Sequence, residues 1–326
     1  MTESWEAAGS PTTEQTRHSA VPFTLTILGA GSATPVLGRS QTAQLLTYNN
    51  ENFLIDCGEG TQYRLLEQRA KPGRLKYIFI SHLHGDHYFG LAPLLSSLNL
   101  GGRTEELFLF GPHGLDDVLL TTFRHGDSRL NFPLHFRAVD PDRPALLLDH
   151  PNLTVESIPL QHRIPCTGYL FREKPHKRKL LRDKLPADVP IPYLKQLKEG
   201  LDVVDEAGNL LYAAHDYTLP GRPPRSYAFC SDTRYDERLV PQVAGVDLLY
   251  HEATFLEDNA TRATEVFHAT AQQAARIAAQ AGVGRLLIGH FSSRYKTFEQ
   301  FLSEARAVFP ATTLAVEGLT VEITGT

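Results

Sequence analysis

The chain has 326 residues, 42% of them hydrophobic, which is enough apolar material for one large domain or two medium ones. Its formal net charge is -5, so any polyanionic partner must be met by local rather than global positive charge. Three widely spaced cysteines, Cys57, Cys166 and Cys230, with no C-x-x-C, exclude a disulfide framework and a cysteine zinc site.

Residues 1–20 are polar, without a basic start or an apolar stretch, and read as a disordered tail rather than a signal peptide. No apolar run approaches membrane-spanning length, so a soluble cytoplasmic protein is expected. The ordered part begins near Val21. "FTLTILG" reads as a strand, and "QLLTY" and "NFLID", joined by "NNE", as a strand pair. "RLKYIFI" is a buried strand, "LAPLLSSLNL" a helix stopped by "GG", "LFLFGP" a short strand and "LDDVLLTTF" a helix. "LHFRAV", "LTVESIPL" and "GYLF" are further strands. Residues 172–225 are rich in charge and proline and poor in apolar periodicity. The core pattern resumes with the strands "SYAFCSD", "DLLYHEATF" and "RLLIGH", the helices "TAQQAARIAAQAG" and "TFEQFLSEARAVF", and the closing strands "TLAVEG" and "LTVEI". Local pairing followed by strand–helix alternation predicts stacked α/β layers with mixed sheets.

Three buried strands end in metal-ligand residue types: "YIFISHLH", "YAFCSD" and "RLLIGH". If they run parallel, their carboxyl ends share one edge, where open α/β sheets border their ligand crevice. In "SHLHGDH", His82 and His84 are two apart and can reach one metal, while Gly85 permits a tight turn that sends Asp86 and His87 towards a second. His162, in "PLQHRIP", ends another strand. Seven candidates fit two metals: His82, His84 and His162 for one, Asp86, His87 and His290 for the other, with Asp232 between them. Histidine and carboxylate donors suit zinc, and paired metals clamp a phosphoryl group. A single histidine is more often a packed core residue. Four ligand-type residues in seven positions are not explained that way, because unpaired buried polar groups cost about 1–3 kcal/mol each.

The motif "SHLHGDH" resembles the signature of the metallo-β-lactamase fold, a four-layer αββα sandwich. With "LGAGSATP", "LIDCGEGTQ", "HEATF" and "GHFSSRY", the chain from about Phe23 to its C-terminus resembles the ribonuclease Z family in its short form. The resemblance implies one catalytic domain over 21–326 with a flexible basic arm inserted at about 172–225. It implies two zinc ions on the seven residues named, Asp86 as general base, and His268 of "FHATA" protonating the leaving oxygen. Glu252 is read as orienting His268. The implied substrate is precursor tRNA, cut 3′ of the discriminator base to leave a tRNA 3′-hydroxyl and a trailer 5′-phosphate. The arm of one subunit is implied to grip tRNA cut by the other, in a homodimer.

Residues 172–199 carry nine Lys/Arg against four Asp/Glu, a net of +5 that leaves -10 elsewhere (-5 minus +5). Such a segment is either a solvated face or a polyanion contact, and Lys177, Arg178 and Lys179 are its candidate RNA-binding group. The arm departs from the family pattern: "VPIPYLKQLKEG" stands where "PPGP" is usual. "SDT" replaces "GDT" at the end of the strand that carries Asp232, and Ala269 replaces a serine. Gly29 and Gly31 do not complete G-x-G-x-x-G, since Thr34 holds the third position, so no nucleotide cofactor is expected. Asp56, Glu59 and Gly60 read as site edge, Tyr295 as rim, His113 and His125 as structural or exposed. Arg294 contacts phosphate or pairs a carboxylate. The rival function is a hydrolase of small phosphodiesters or other esters on the same fold.

Overall fold

In the computed structural model, which describes residues 21–325, the first half of the chain builds one sheet. The segment read as a tail lies outside the described residues. β1 (Phe23–Gly29), β2 (Ala43–Tyr48) and β3 (Glu51–Ile55) form an antiparallel meander. Asn49 and Asn50 close the β2–β3 turn, both left-handed at φ 47° and 68°, the two-residue hairpin conformation that matches strand twist. β4 (Leu75–Phe79), β5 (Leu107–Gly111) and β6 (Leu134–Ala138) then add in parallel. Their crossovers carry α1 (Thr61–Glu67), α2 (Gly85–Tyr88), α3 (Leu91–Leu100) and α4 (Leu115–His125).

The second sheet opens with the antiparallel strands β7 (Leu146–Asp149), β8 (Leu153–Pro159) and β9 (Thr167–Glu173). The chain then leaves the sheet through β10 (Lys179–Leu180), α5 (Ile191–Lys198), β11 (Val203–Val204), β12 (Leu210–Tyr212), α6 (Ala214–Tyr217) and β13 (Thr218–Leu219). It returns as β14 (Ser226–Cys230), paired to β9. β15 (Leu248–Glu252), β16 (Arg285–Gly289) and β17 (Thr312–Leu314) follow in parallel, with α7 (Ala260–Glu265), α8 (Ala271–Ala281) and α9 (Glu299–Val308) between them. β18 (Thr320–Glu322) crosses back to pair with β1. Each sheet has seven strands, ordered β18-β1-β2-β3-β4-β5-β6 and β17-β16-β15-β14-β9-β8-β7.

Period-two alternation sorts each strand's side chains between two layers. Phe53, Phe79, Tyr169, Phe171, Phe229, Tyr250 and Leu287 point between the sheets and make one aromatic-rich core. Their neighbours point outward. Ile78, Ile80 and Leu109 meet Leu94, Leu98 and Leu115 on the helices of the first sheet. Ala228, Leu249, Leu286 and Ile288 meet Ala274, Ile277 and Phe301 on those of the second. The result is the expected four-layer αββα sandwich. Two expectations need correction. The ligand-bearing strand ends do not share one sheet edge, since β4 lies in the first sheet and β14 and β16 in the second. Nor does Gly85 make a tight turn: it opens the one-turn helix α2, and a Cβ there would lie 2.3 Å from the Phe89 ring.

The inserted segment has a small core of its own, Leu180, Leu197, Val203 and Ala214, with Tyr193, Tyr212 and Tyr217 packed on it. Its two feet meet at a buried ion pair. The Glu173 carboxylate accepts from Arg225 N, Nε and Nη2 at 2.8, 3.0 and 2.8 Å, and from Arg222 Nη2 at 2.6 Å. Arg225 also donates to Val21 O and Ile323 O, tying the root to the segments beside the paired strands β1 and β18 of the first sheet. Burial alone would raise the Glu173 pKa, but the Arg225 bonds outweigh it and hold it at about 2. Its stabilisation is therefore present above the ordinary carboxylate pKa and lost as pH falls towards about 2. Glu173→Gln, which strands the Arg225 charge, is expected to cost about 3–5 kcal/mol at neutral pH. Thermal melts of both proteins between pH 7 and pH 3 should converge as the wild type loses this term. A constant gap would mean the carboxylate's charge is immaterial.

Candidate metal centre

Both sheets send ligand-type side chains to one cleft. β4 runs out into Ser81–His84, and α2 carries Asp86 and His87. β8 ends before His162, β14 before Asp232, and β16 before His290. His82, His84, His162 and Asp232 place one donor atom each within 4.8 Å of one another, as do Asp86, His87 and His290. Asp232 with His268 and His290 makes a third such group, so His268 adjoins the cluster. All seven candidates come together, grouped as the sequence suggested. The arm residues Lys177, Arg178 and Lys179 do not join them and line a separate basic recess with Arg182 and Lys198.

Outer contacts fix which ring nitrogen faces inward. His82 Nδ1 lies 2.9 Å from Ser81 Oγ, and His87 Nδ1 2.7 Å from Asp56 Oδ2. His162 Nδ1 lies 3.0 Å from Phe267 O, and His290 Nδ1 2.8 Å from Thr254 Oγ1. Each therefore presents Nε2 to the centre. Three nitrogens then crowd: His84 Nδ1 is 3.0 Å from His82 Nε2 and 3.1 Å from His162 Nε2. One proton satisfies at most one of these contacts. Among the described residues, buried His87 Nε2 and Asp232 Oδ1 have no hydrogen-bond partner. Converging lone pairs and orphaned buried acceptors are what a divalent cation satisfies, so the donor set fits a metal.

Electrostatics agree for every ligand with a resolved shift except His87. Burial would protonate Asp86 and Asp232, but facing histidines outweigh it and hold both carboxyls below the usual range. Burial strips His82, His84 and His162 towards the neutral form that ligates metal. For His87 the carboxylates of Asp232, Asp86 and Asp56 overcome burial and raise the pKa. Backbone strain concentrates here too. Asp56, Phe267 and His290 are left-handed at φ 55°, 60° and 63°, each costing about 1–3 kcal/mol for a non-glycine residue. At Phe267 the strain aims a carbonyl at His162.

Beside the cluster, Glu252 is fully buried at the end of β15. Its Oε1 accepts from His268 Nδ1 at 2.8 Å, Ala269 N at 3.1 Å and Thr233 N at 3.2 Å. Its Oε2 accepts from Thr254 N at 2.9 Å and Oγ1 at 2.8 Å. Burial lowers the His268 pKa, but Glu252 and Asp232 overcome it and push it up to about 9. His268 lies beside the metal-type donors, on the wall of a cleft of about 400 Å³. Arg163, Arg262 and Arg294 edge the same cleft. The Arg294 guanidinium lies over the Phe255 ring, 5.9 Å from its centre. Sequence reasoning passed over Ser81, Thr254, Arg163 and Arg262, and read Asp56 only as site edge. Asp56 at a strand end was the one of these with a visible signal.

A family model described as anti-Pycsar protein Apyc1 matches residues 23–130. The chain is 49% identical to ribonuclease Z of Cytophaga hutchinsonii over 91% of its own length and 95% of that protein's. It is 46% identical to ribonuclease Z of Bacteroides fragilis, covering 92% of this chain and 99% of the other. Among solved structures it resembles human tRNase Z, short form, with a TM-score of 0.66, 27% identity, and 92% and 99% of the two chains covered. The metallo-β-lactamase fold protein YhfI from Bacillus subtilis, at TM-score 0.65 and 21% identity over 92% and 99% of the chains, shares the fold.

Proposed function

The chain belongs to the ribonuclease Z family, and on that premise we propose that it is a two-zinc endoribonuclease that removes 3′ trailers from precursor tRNA. It cuts 3′ of the discriminator base and leaves a tRNA 3′-hydroxyl and a trailer 5′-phosphate. The observation that carries this reading is one cleft holding a seven-residue His/Asp cluster and, at its wall, an imidazole backed by a buried carboxylate.

His82, His84 and His162 would hold one metal, Asp86, His87 and His290 the other, with Asp232 serving both. When bound, the metals supply Lewis-acid charge beside the phosphorus and a water whose pKa is lowered to about 7. The protein's own groups do the rest. Asp86, kept ionised between His87 and His290, takes the proton of the attacking water at a carboxylate oxygen. His268, bound to Glu252 through Nδ1, gives a proton from Nε2 to the departing ribose 3′-oxygen. Arg163, Arg262 and Arg294 draw the flanking phosphates to the cleft. Lys177, Arg178 and Lys179 on the inserted arm grip the tRNA body, and in a homodimer they do so for the partner's substrate. Light scattering should then give twice the chain mass. Among the described residues no helix is long and apolar enough to cross a membrane, in keeping with cytoplasmic work.

Zinc-loaded protein is expected to make a single cut after the discriminator of a trailer-bearing precursor, and Asp86→Ala to make none. The second reading is a hydrolase of small phosphodiesters or other esters on the same fold. His176 and Gly221 lie against each other at the arm's root, so a short linker can replace residues 177–220. Without the arm, cleavage of precursor should fall at least a hundred-fold while a small model phosphodiester is still hydrolysed. Equal retention of both activities would favour the second reading.

A further inference from the structure

His84 is the wall between two cavities. On one side lies the polar cleft with His268 and the three arginines. On the other lies a pocket of about 470 Å³ whose walls are Pro112, Pro141, Ile164 and Pro165, closed by the imidazoles of His84 and His113. Four different loops build it: those after β4, β5, β6 and β8. Three of the walls are prolines, whose fixed φ keeps the slot's shape. No Lys, Arg, Asp or Glu lines it, so it offers a phosphate no permanent positive charge. An apolar slot with imidazole edges suits a flat, uncharged ring system, and unpaired bases are held by stacking on such surfaces.

We infer that this pocket seats the base of the first trailer nucleotide, the one immediately 3′ of the cut. The assignment rests on the ribonuclease Z reading. There His268 serves the departing 3′-oxygen, so the nucleotide that keeps this oxygen occupies the polar cleft beside His268. The strand that continues through the cut passes His84 and enters the apolar pocket. The walls carry few hydrogen-bonding groups, so the pocket holds any base by shape and stacking. It adds affinity for the trailer without restricting its sequence.

The test uses three precursor tRNAs: intact, abasic at the first trailer position, and abasic at the discriminator. Each is cut by wild-type protein, by Ile164→Trp, which fills the pocket, and by His113→Ala, which opens its exposed edge. With wild type, loss of the trailer base should raise KM roughly ten-fold or more. With Ile164→Trp the intact precursor should show that same rise, and the trailer abasic site should add little more. His113→Ala should shift in the same direction by less, and the discriminator abasic site should keep its full effect in both variants. Wild-type protein that cuts intact and trailer-abasic precursors alike overturns the pocket assignment and leaves the function standing. So does an abasic penalty that persists undiminished in Ile164→Trp. Failure to cut the intact precursor overturns the functional reading and the pocket with it.

Discussion

Asp232→Ala protein is expected to lose both metals and precursor cleavage in one step, with the fold retained. Asp232 faces both histidine groups. Its Oδ1 is 3.3 Å from His290 Nε2 and 3.4 Å from His87 Nε2, and its Oδ2 is 3.7 Å from His82 Nε2 and 3.8 Å from His162 Nε2. Without it, five inward-facing imidazoles share a cavity with the single remaining carboxylate of Asp86, and the charge that would neutralise two cations is halved. Loss of one electrostatic group in an active site costs about 10²–10³ in turnover, so at least that loss is expected. The cleaner readout is metal itself. A ligand that binds only the folded state stabilises it by about 4 kcal/mol at a thousand times its dissociation constant. Wild-type protein should therefore melt lower after chelation and recover with zinc. The Asp232→Ala melting temperature should respond to neither, and elemental analysis should find it depleted. Two zinc ions per chain in the variant would remove Asp232 from the centre.

How legible the site was depends on where its information sits. His82, His84, Asp86 and His87 are compressed into one strand end, so their spacing is itself a signal. His162, Asp232 and His290 were visible only as polar residues closing buried strands. Expecting them to share one sheet edge with the strand before His82 was wrong, because β4 lies in the first sheet while β8, β14 and β16 lie in the second, facing it. The centre is the meeting of two sheet edges, which no local pattern encodes. The supporting groups were harder still. Asp56, Ser81 and Thr254 act through hydrogen bonds to ring nitrogens from segments up to 36 positions away, and serine and threonine beside a motif carry no signal of their own. In the fold, the aromatic alternation of β4, β9 and β14 announced buried strands directly. The arm's core did not announce itself, because Leu180, Leu197, Val203 and Ala214 come from short elements with no shared period. Its charge was legible and its packing was not.

Glu252→Gln is expected to separate proton delivery from metal chemistry. Five donors converge on two carboxylate oxygens: three on Oε1, including His268 Nδ1, and two from Thr254 on Oε2. Glutamine keeps one oxygen. If its amide group faces Thr254, the hydroxyl can turn to accept, but Thr254 N–H is left unpaired at about 1–3 kcal/mol. That rotation also takes the Thr254 proton away from its present acceptor and towards the side where His290 Nδ1 donates. If the amide faces His268 instead, Nδ1 must accept, which leaves a neutral imidazole whose one proton on Nε2 is far less acidic than that of the imidazolium. Either arrangement removes the anion that keeps His268 charged. Precursor cleavage should fall about 10²–10⁴-fold, the range for a positioned general acid, with KM little changed. A model phosphodiester with a phenolate leaving group departs without a proton, so its hydrolysis should fall far less. Metal content near that of the wild type, with a modestly lower melting temperature, would locate the defect in His268. Equal losses on both substrates would instead make Glu252 a support for the metal cluster, acting through Thr254 and His290.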